Sequence, residues 1–458
     1  RAIEQLKIEY DVRLDVMGIR RRVLNLFETV NGIPDIMLPL NMKTSPGYPL
    51  VLERVNSTKG GKYEWFEETE IPAGYGKAYL PTPKLLSGLE QTEQQLLSGE
   101  MPLFVAYCCL KDETRPIAKI KAGKTRAFIC LPLIFNLLVR KYFGAFTSAM
   151  KKRAIDISSC VGIDPAKDWG RLHAKLVEKN SRWEDFDYAN WDQYLHPELV
   201  LKVADIVNYW YNDGPVNARV RSMLLYNLVH TIVIVKDKMF VKSQGQCSGC
   251  AITAELNCLV HDLLMTYVWE KIHQDQGLQT SLIEMRENVA LCVYGDDIIM
   301  SVDPEYPLDF SGNSIAPYMS DLGMNITPGD KISTSFEKKD PKDIFFLKRN
   351  FVRDGEAIYA PLRSDIVENI IQWVHHSNSK DEATLENCKT ALRESYMHRR
   401  SYFEELSKNI NNRIKVANQF YGCKLQPVVM SFDAIEDSYY CGSYVCAGLD
   451  GPTLCSEV

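Results

Sequence analysis

The run Cys292-Val293-Tyr294-Gly295-Asp296-Asp297-Ile298-Ile299-Met300 constrains this chain more than any other. Apolar β-formers flank a Gly-Asp step, which predicts two strands joined by a tight turn with two carboxylates at its tip. Adjacent carboxylates repel one another, and a chain that keeps them together usually supplies a cation. Hard oxygen ligands favour Mg²⁺ or Mn²⁺. A solvated acidic turn would have the same local pattern, so the rest of the chain has to decide.

A chain of 458 residues can bury a large core and should divide into about three subdomains. A net charge of −6 excludes a generally basic nucleic-acid coat but allows a basic channel in an acidic protein. No apolar run is long enough to span a bilayer, and no signal peptide opens the chain. The start at Arg1, without Met, suggests either an artificially chosen boundary or a product of proteolytic processing. Thirteen Cys without a secretory signal predict reduced thiols in a cytosolic compartment. Cys247 and Cys250 have C-x-x-C spacing without a second ligand pair, so no structural zinc is expected.

Residues 1–40 read as partly helical, with Arg20-Arg21-Arg22 on a solvated helix face. Lys43-Thr44-Ser45-Pro46-Gly47-Tyr48-Pro49 is a loop whose hydroxyls and amides would suit a phosphate backbone. Residues 56–76 read as a surface excursion. Between 111 and 126 stand Lys111, Arg115, Lys119, Lys121, Lys124 and Arg126; Ala118 and Ile120 alternate with Lys119 and Lys121, which predicts a basic hairpin. A solvated edge strand guarded by Lys is the simpler reading of that segment alone. Asp164-Pro165 predicts a helix start. Asp187 ends a strand-like run, and Asp192 opens the next element. The loop Ser243-Gln244-Gly245-Gln246-Cys247-Ser248-Gly249 leads into a helix carrying Thr253 and Asn257 on one face. Residues 345–351 form a second apolar–basic hairpin candidate. Beyond 360 the pattern is helical, with Asp365 as one cap and Ser379 with Glu382 as a capping box opening a stretch to about 419. The tail from Ser431 lacks Lys and Arg and holds Cys441, Cys446 and Cys455.

These stretches, in this order, resemble the RNA-dependent RNA polymerases of picornavirus-like positive-strand RNA viruses, with insect-infecting iflaviruses or dicistroviruses the nearest in appearance. The likeness runs from about 43 to 375. Residues 43–49 resemble the template loop, 111–126 the fingertip, Asp187 with Asp192 the first palm motif, and Ser248-Gly249 with Thr253 and Asn257 the second. Tyr294-Gly295-Asp296-Asp297 is similar to the catalytic turn, Thr327-Pro328-Gly329-Asp330-Lys331 to the motif of the acid lysine, and Phe346-Leu347-Lys348-Arg349 to the primer grip. Cys247 stands where Pro is common, and Ala251-Ile252 replace smaller residues.

The resemblance implies a mixed α+β fold, a closed right hand with fingers (1–160 and 203–240), a palm (161–202 and 241–360) and a helical thumb with the tail (361–458). It implies that Asp187, Asp296 and Asp297 hold Mg²⁺, for which Mn²⁺ can substitute, and that Lys331 is a general acid. Lys111, Arg115, Lys119, Arg126, Asp192, Ser248, Thr253 and Asn257 would bind the nucleotide. Thr44, Ser45, Gly47, Tyr48, Gly249, Lys348 and Arg349 would touch RNA. Implied partners are an RNA template and primer, ribonucleoside triphosphates, other viral replication proteins and, by family alone, a protein primer. The implied location is membrane-associated replication complexes in the host cytoplasm. A reverse transcriptase and a non-catalytic RNA-binding scaffold are the alternatives.

Overall fold

The computed structural model describes residues 1–53, 60–70, 77–331, 333–374, 377 and 379–440. Much of the expected excursion at 56–76, and the Cys441, Cys446 and Cys455 of the tail, lie outside the described residues.

At the centre is a four-stranded sheet in the order Ile326–Pro328, Glu184–Tyr188, Asp297–Val302, Val289–Tyr294, antiparallel throughout. The last two strands form the hairpin expected from the Gly-Asp step, with Tyr294 paired to Asp297. Side chains alternate across a strand, so the hairpin feeds two separate cores. Leu291, Val293, Ile298 and Met300 join the core built with the long helix Thr253–Asp275, which packs on the sheet. Ala290, Cys292 and Ile299 join a second core with Trp169, Leu172 and Leu176 of the helix Trp169–Val177. Both faces are covered, which is why the hairpin reads as continuous apolar sequence rather than alternation.

A second sheet, in the order Ala127–Cys130, Val105–Leu110, Ile232–Val235, Lys238–Val241, is antiparallel except for its central parallel pair. The largely buried helix Leu133–Lys152 packs with the helices Pro197–Tyr211 and Pro215–Val229, the last two each opened by Pro at its first turn. The helices Ser364–Ile370, Lys380–Tyr396, Arg400–Tyr421 and Phe432–Tyr440 close a third core around Val367, Leu392, Tyr396, Phe403 and Ile410.

Several local expectations are corrected. Residues Ile117–Lys121 are helical, not strand: Pro116 starts the turn, and the segment bonds within itself, Lys119 N–H to Pro116 and Ala122 N–H to Ala118. The helix expected at Asp164 begins at Trp169, because Asp164 and Asp168 close a turn on the amides of Ala166 and Asp164. Asp365 lies inside its helix and pairs with Arg363 rather than capping. Ser379 does accept from Glu382 N–H, but the stretch to 419 is two helices broken at 397–399. The Arg20–Arg22 cluster is not on a helix; Arg21 pairs with Asp11, and Arg22 with Glu28.

Candidate active site

Strand register assembles the acidic centre. Phe186 pairs with Ile298, so Asp187, the next residue, comes opposite Asp297 at the open end of the sheet. Gly295, at φ +65°, makes the two-residue turn that holds Asp296 at the tip. Below the turn, the Gly295 N–H points at Cys258 Sγ of the long helix, 3.4 Å away. The His261 ring, one turn on, is buried between Trp191, stacked at 4.2 Å, and Tyr188.

Of the three carboxylates, Asp187 is paired with Lys331, whereas Asp296 and Asp297 are left at the end of the sheet with their ionised forms disfavoured. Burial pushes Asp297 up to about 7, and the charges of Asp296 and Asp187 add to the rise; Lys348 and Lys331 pull the other way. Asp296 is also raised, first by the protein around it and then by Asp192 and Asp187, with Arg126 opposing. A carboxyl held near neutrality lacks a counter-cation, and an all-oxygen donor set suits a hard divalent ion. Among the described residues, no three His, Cys, Asp or Glu side chains are already drawn together as a ligand group. The Lys331 ammonium is ion-paired with Asp187 Oδ2, where a cation would have to stand.

A ribbon of contacts positions the loop of Lys331. Thr327 pairs with Asp187 across the sheet. Asp330 takes the Ser333 N–H and hydroxyl. Lys339 bonds Asp185 Oδ1 at 2.9 Å and lies 3.7 Å from Asp330. Asp185 and Lys339 were not singled out in the sequence: Asp185 is one of three acidic residues in the strand Glu184–Tyr188, and nothing local marks it out from the others.

A polar network lies near the acidic centre, with Asp192 close enough for its charge to act on Asp296. Ser248 Oγ donates to Asp192 Oδ2 at 2.5 Å, and Gln246 N–H to the Asp192 carbonyl at 2.8 Å. Gln246 Nε2 donates to Asn257 Oδ1 at 3.0 Å. The Thr253 hydroxyl donates to the Cys250 carbonyl at the start of its helix. Gly249 is wedged against the neighbouring sheet: its N–H bonds the Ile129 carbonyl, its own carbonyl accepts from Asn136, and a Cβ there would stand 2.5 Å from Ile129 O. Cys247 and Cys250 flank this turn as buried thiols.

The basic segment reaches the acidic centre through Arg126, whose charge acts on Asp296. Lys111 N–H bonds the Arg126 carbonyl, closing its base. Lys111, Lys119 and Arg126 are exposed, and Glu113 lies between Arg115 (3.6 Å) and Arg126 (3.4 Å). At the other rim, Leu347 and Lys348 have φ of +53° and +61° in a tight turn between Phe346 and Arg349. Lys348 is exposed at this turn yet near enough to Asp297 for the two charges to act on each other, whereas Arg349 is turned away into a bidentate pair with Glu394 and a bond to the Ala360 carbonyl. In the 43–49 loop, Ser45 meets the Tyr107 hydroxyl at 2.7 Å, and buried Lys62, missed in the sequence, grips Thr44 and the Asn41 carbonyl. Gly47 is buried against Leu131, and Tyr48 is half-exposed.

Comparison with known proteins agrees with this geometry. A family model described as viral RNA-dependent RNA polymerase matches residues 24–413. The genome polyprotein of rice tungro spherical virus (strain Vt6) is 34% identical over 92% of this chain. The RNA1 polyprotein of tomato ringspot virus is 32% identical over 78%, and the replicase polyprotein of Drosophila C virus 28% over 84%. The chain spans 12%, 16% and 22% of those polyproteins, respectively. Identity is thus higher to the two plant-virus polyproteins than to the Drosophila virus. A solved structure titled sicinivirus 3Dpol RNA dependent RNA polymerase superposes with a TM-score of 0.77 at 20% identity, covering 96% of this chain and 85% of that one. The mixed α+β architecture is therefore that of a right-hand polymerase, and the chain belongs to the viral RNA-dependent RNA polymerase family.

Proposed function

We propose that this chain is an RNA-directed RNA polymerase that extends a primer on an RNA template from ribonucleoside triphosphates, releasing pyrophosphate, in viral genome replication. The observation that carries this is the convergence of Asp187, Asp296 and Asp297 at one sheet end, where Asp296 and Asp297 are raised by burial and by the charges of neighbouring carboxylates and Lys331 occupies Asp187. Phosphoryl transfer asks for alignment and charge neutralisation more than for covalent help. Asp187, Asp296 and Asp297 would hold Mg²⁺, or Mn²⁺ in its place. With such ions bound, the site gains a lowered 3′-hydroxyl pKa and charge stabilisation on the triphosphate.

The chain's own residues supply the rest. Lys331 leaves Asp187 and hands a proton to the departing pyrophosphate. Lys111, Arg115, Lys119 and Arg126 meet the triphosphate, and Asp192 and Asn257 meet the ribose, with Ser248 and Thr253 shaping their loop. Thr44, Ser45, Tyr48 and Lys348 line the RNA track, while Gly47, Gly249 and Arg349 frame it, since their backbone or guanidinium groups are already engaged by protein. Fingers at 1–160 and 203–240, palm at 161–202 and 241–360, and thumb from 361 accord with the two sheets and the third core. Among the described residues no helix is long and apolar enough to cross a membrane; attachment to membrane-bound replication complexes would then run through other viral replication proteins. A protein primer remains part of this proposal on family grounds.

Primer extension with Mg²⁺ tests it. Wild-type protein should extend with ribonucleotides, and Asp187→Asn or Asp296→Asn should lose activity by orders of magnitude while melting as the wild type does. Near-normal extension by either variant rejects the assignment. Preference for deoxyribonucleotides would mean a reverse transcriptase, and RNA binding without extension a scaffold.

A further inference from the structure

Gln246 has no role in the assignments above, yet it is 3% exposed and joined at both ends. Its Oε1 accepts the backbone N–H of Cys247 at 3.0 Å. A backbone N–H can only donate, so this bond determines which end of the Gln246 amide is oxygen. Nε2 must then face Asn257, and the partner it meets at 3.0 Å must be the Asn257 oxygen. The order propagates one step further: with Oδ1 engaged, Asn257 presents Nδ2, which makes no hydrogen bond to protein among the described residues. The loop itself is pinned. Gly245 N–H bonds the Leu195 carbonyl, Gln246 N–H bonds the Asp192 carbonyl, and Gly245 (φ +88°) lies close enough to that carbonyl to admit no side chain.

We infer that Gln246 is a positioning residue for sugar selection: it locks the Asn257 amide as a hydrogen-bond donor opposite the acceptor Asp192, whose own carboxylate is oriented by Ser248. A ribose 2′-hydroxyl is both donor and acceptor, and this pair supplies one complement to each half. Without Gln246, the Asn257 amide is free to turn over, and an oxygen facing an oxygen loses the bond. The inference rests on the assignment of Asp192 and Asn257 to the ribose, and the test separates the two.

The measurement is single-nucleotide incorporation, as kcat/KM, for ATP, 2′-deoxy-ATP and 2′-fluoro-2′-deoxy-ATP; the fluorine accepts weakly and cannot donate. Wild type should rank ATP first and the fluoro analogue above the deoxy. Gln246→Met removes the lock, and the ATP-to-deoxy ratio should fall about tenfold, the size of one neutral hydrogen bond, with the fluoro-to-deoxy ratio moving towards one. Gln246→Glu keeps the bond to Cys247 but offers Asn257 an acceptor, turning its oxygen to the sugar; the fluoro analogue should then fall below the deoxy. Thermal melts accompany each variant, and Gln246→Met carries the test alone if Gln246→Glu does not fold. Equal losses for all three nucleotides in the Gln246 variants mean a merely structural residue and overturn the inference. Unchanged ratios there, with ratios altered in Asn257→Ala, overturn it while leaving the ribose assignment standing. Unchanged ratios in Asn257→Ala as well overturn both.

Discussion

Lys331 illustrates how one side chain can serve two states of a site. At φ +60° and on a surface loop, its ammonium neutralises Asp187. A cation binding at Asp187 has to displace it, and the released ammonium is then free to face a leaving group. Lys331→Leu should slow the single-turnover rate by about 10²–10⁴-fold, the usual worth of a positioned acid. The same substitution removes a competitor, so Mn²⁺ followed by electron paramagnetic resonance should bind more tightly. An unchanged single-turnover rate would exclude Lys331 as the acid, whatever happens to Mn²⁺.

At the scale of elements, the helix that carries Asn257 is braced from behind. Arg286 of the helix Leu282–Asn288 bonds both oxygens of Asp262 and also Glu9 of the first helix, Ala2–Arg13. Tyr10 and Ser158 donate to the same Asp262, whose side chain is 1% exposed. Arg286→Met would leave the buried Asp262 without a cation, while Glu9 keeps Arg13, and breaking such a buried pair costs about 3–5 kcal/mol. Urea denaturation should show that loss, whereas Lys389→Met, at an exposed i,i+3 pair with Glu386, should change stability by less than about 1 kcal/mol. Similar midpoints for the two variants would refute the brace.

The whole molecule should respond to pH through His261 and to salt through its fingertip. Burial holds the His261 imidazole neutral, its pKa pushed down to about 3 from a usual value near 6.5. The unfolded chain therefore takes up this proton first. His261 favours folding fully above about pH 6.5, and that contribution drains away as pH falls towards 3, by about 2 kcal/mol at about pH 5. His261→Phe should flatten the difference between denaturation curves at those two pH values; an unchanged difference would place the acid sensitivity elsewhere. The net charge of −6 coexists with exposed Lys119, Lys121 and Lys124 on one short segment. Replacing Lys121 and Lys124, the two not assigned to the triphosphate, by Gln should lower the slope of log K for single-stranded RNA against log salt by about 1.4, at about 0.7 per phosphate contact. A slope identical to wild type would mean that these two cations do not touch RNA.

The Asp-Asp hairpin, the Asp187 strand and the helix bearing Thr253 and Asn257 were all legible in the sequence, because each is encoded within about ten neighbours: apolar β-formers around Gly295, a strand-like run with aromatic residues ending at Asp187, a polar loop entering a long apolar helix. Where a short segment lacked a partner, the same reasoning misjudged it. Ala118 to Lys121 alternate as a strand would, but no neighbouring strand takes up their amides, and they bond locally as a helix. Side-chain partnerships belong to tertiary structure alone. Arg349 meets Glu394, Lys331 meets Asp187, and Gln246 meets Asn257 while its loop rests on Asp192. Residues far apart in the chain are brought within 3 Å by strand register and helix packing, and a hydrogen bond or ion pair depends on distances that no local pattern encodes. The sequence alone determined which chemistry the chain carries, since that is set by residue types and turn geometry. Only the fold decided which of its polar groups face the substrate and which are spent holding the others in place.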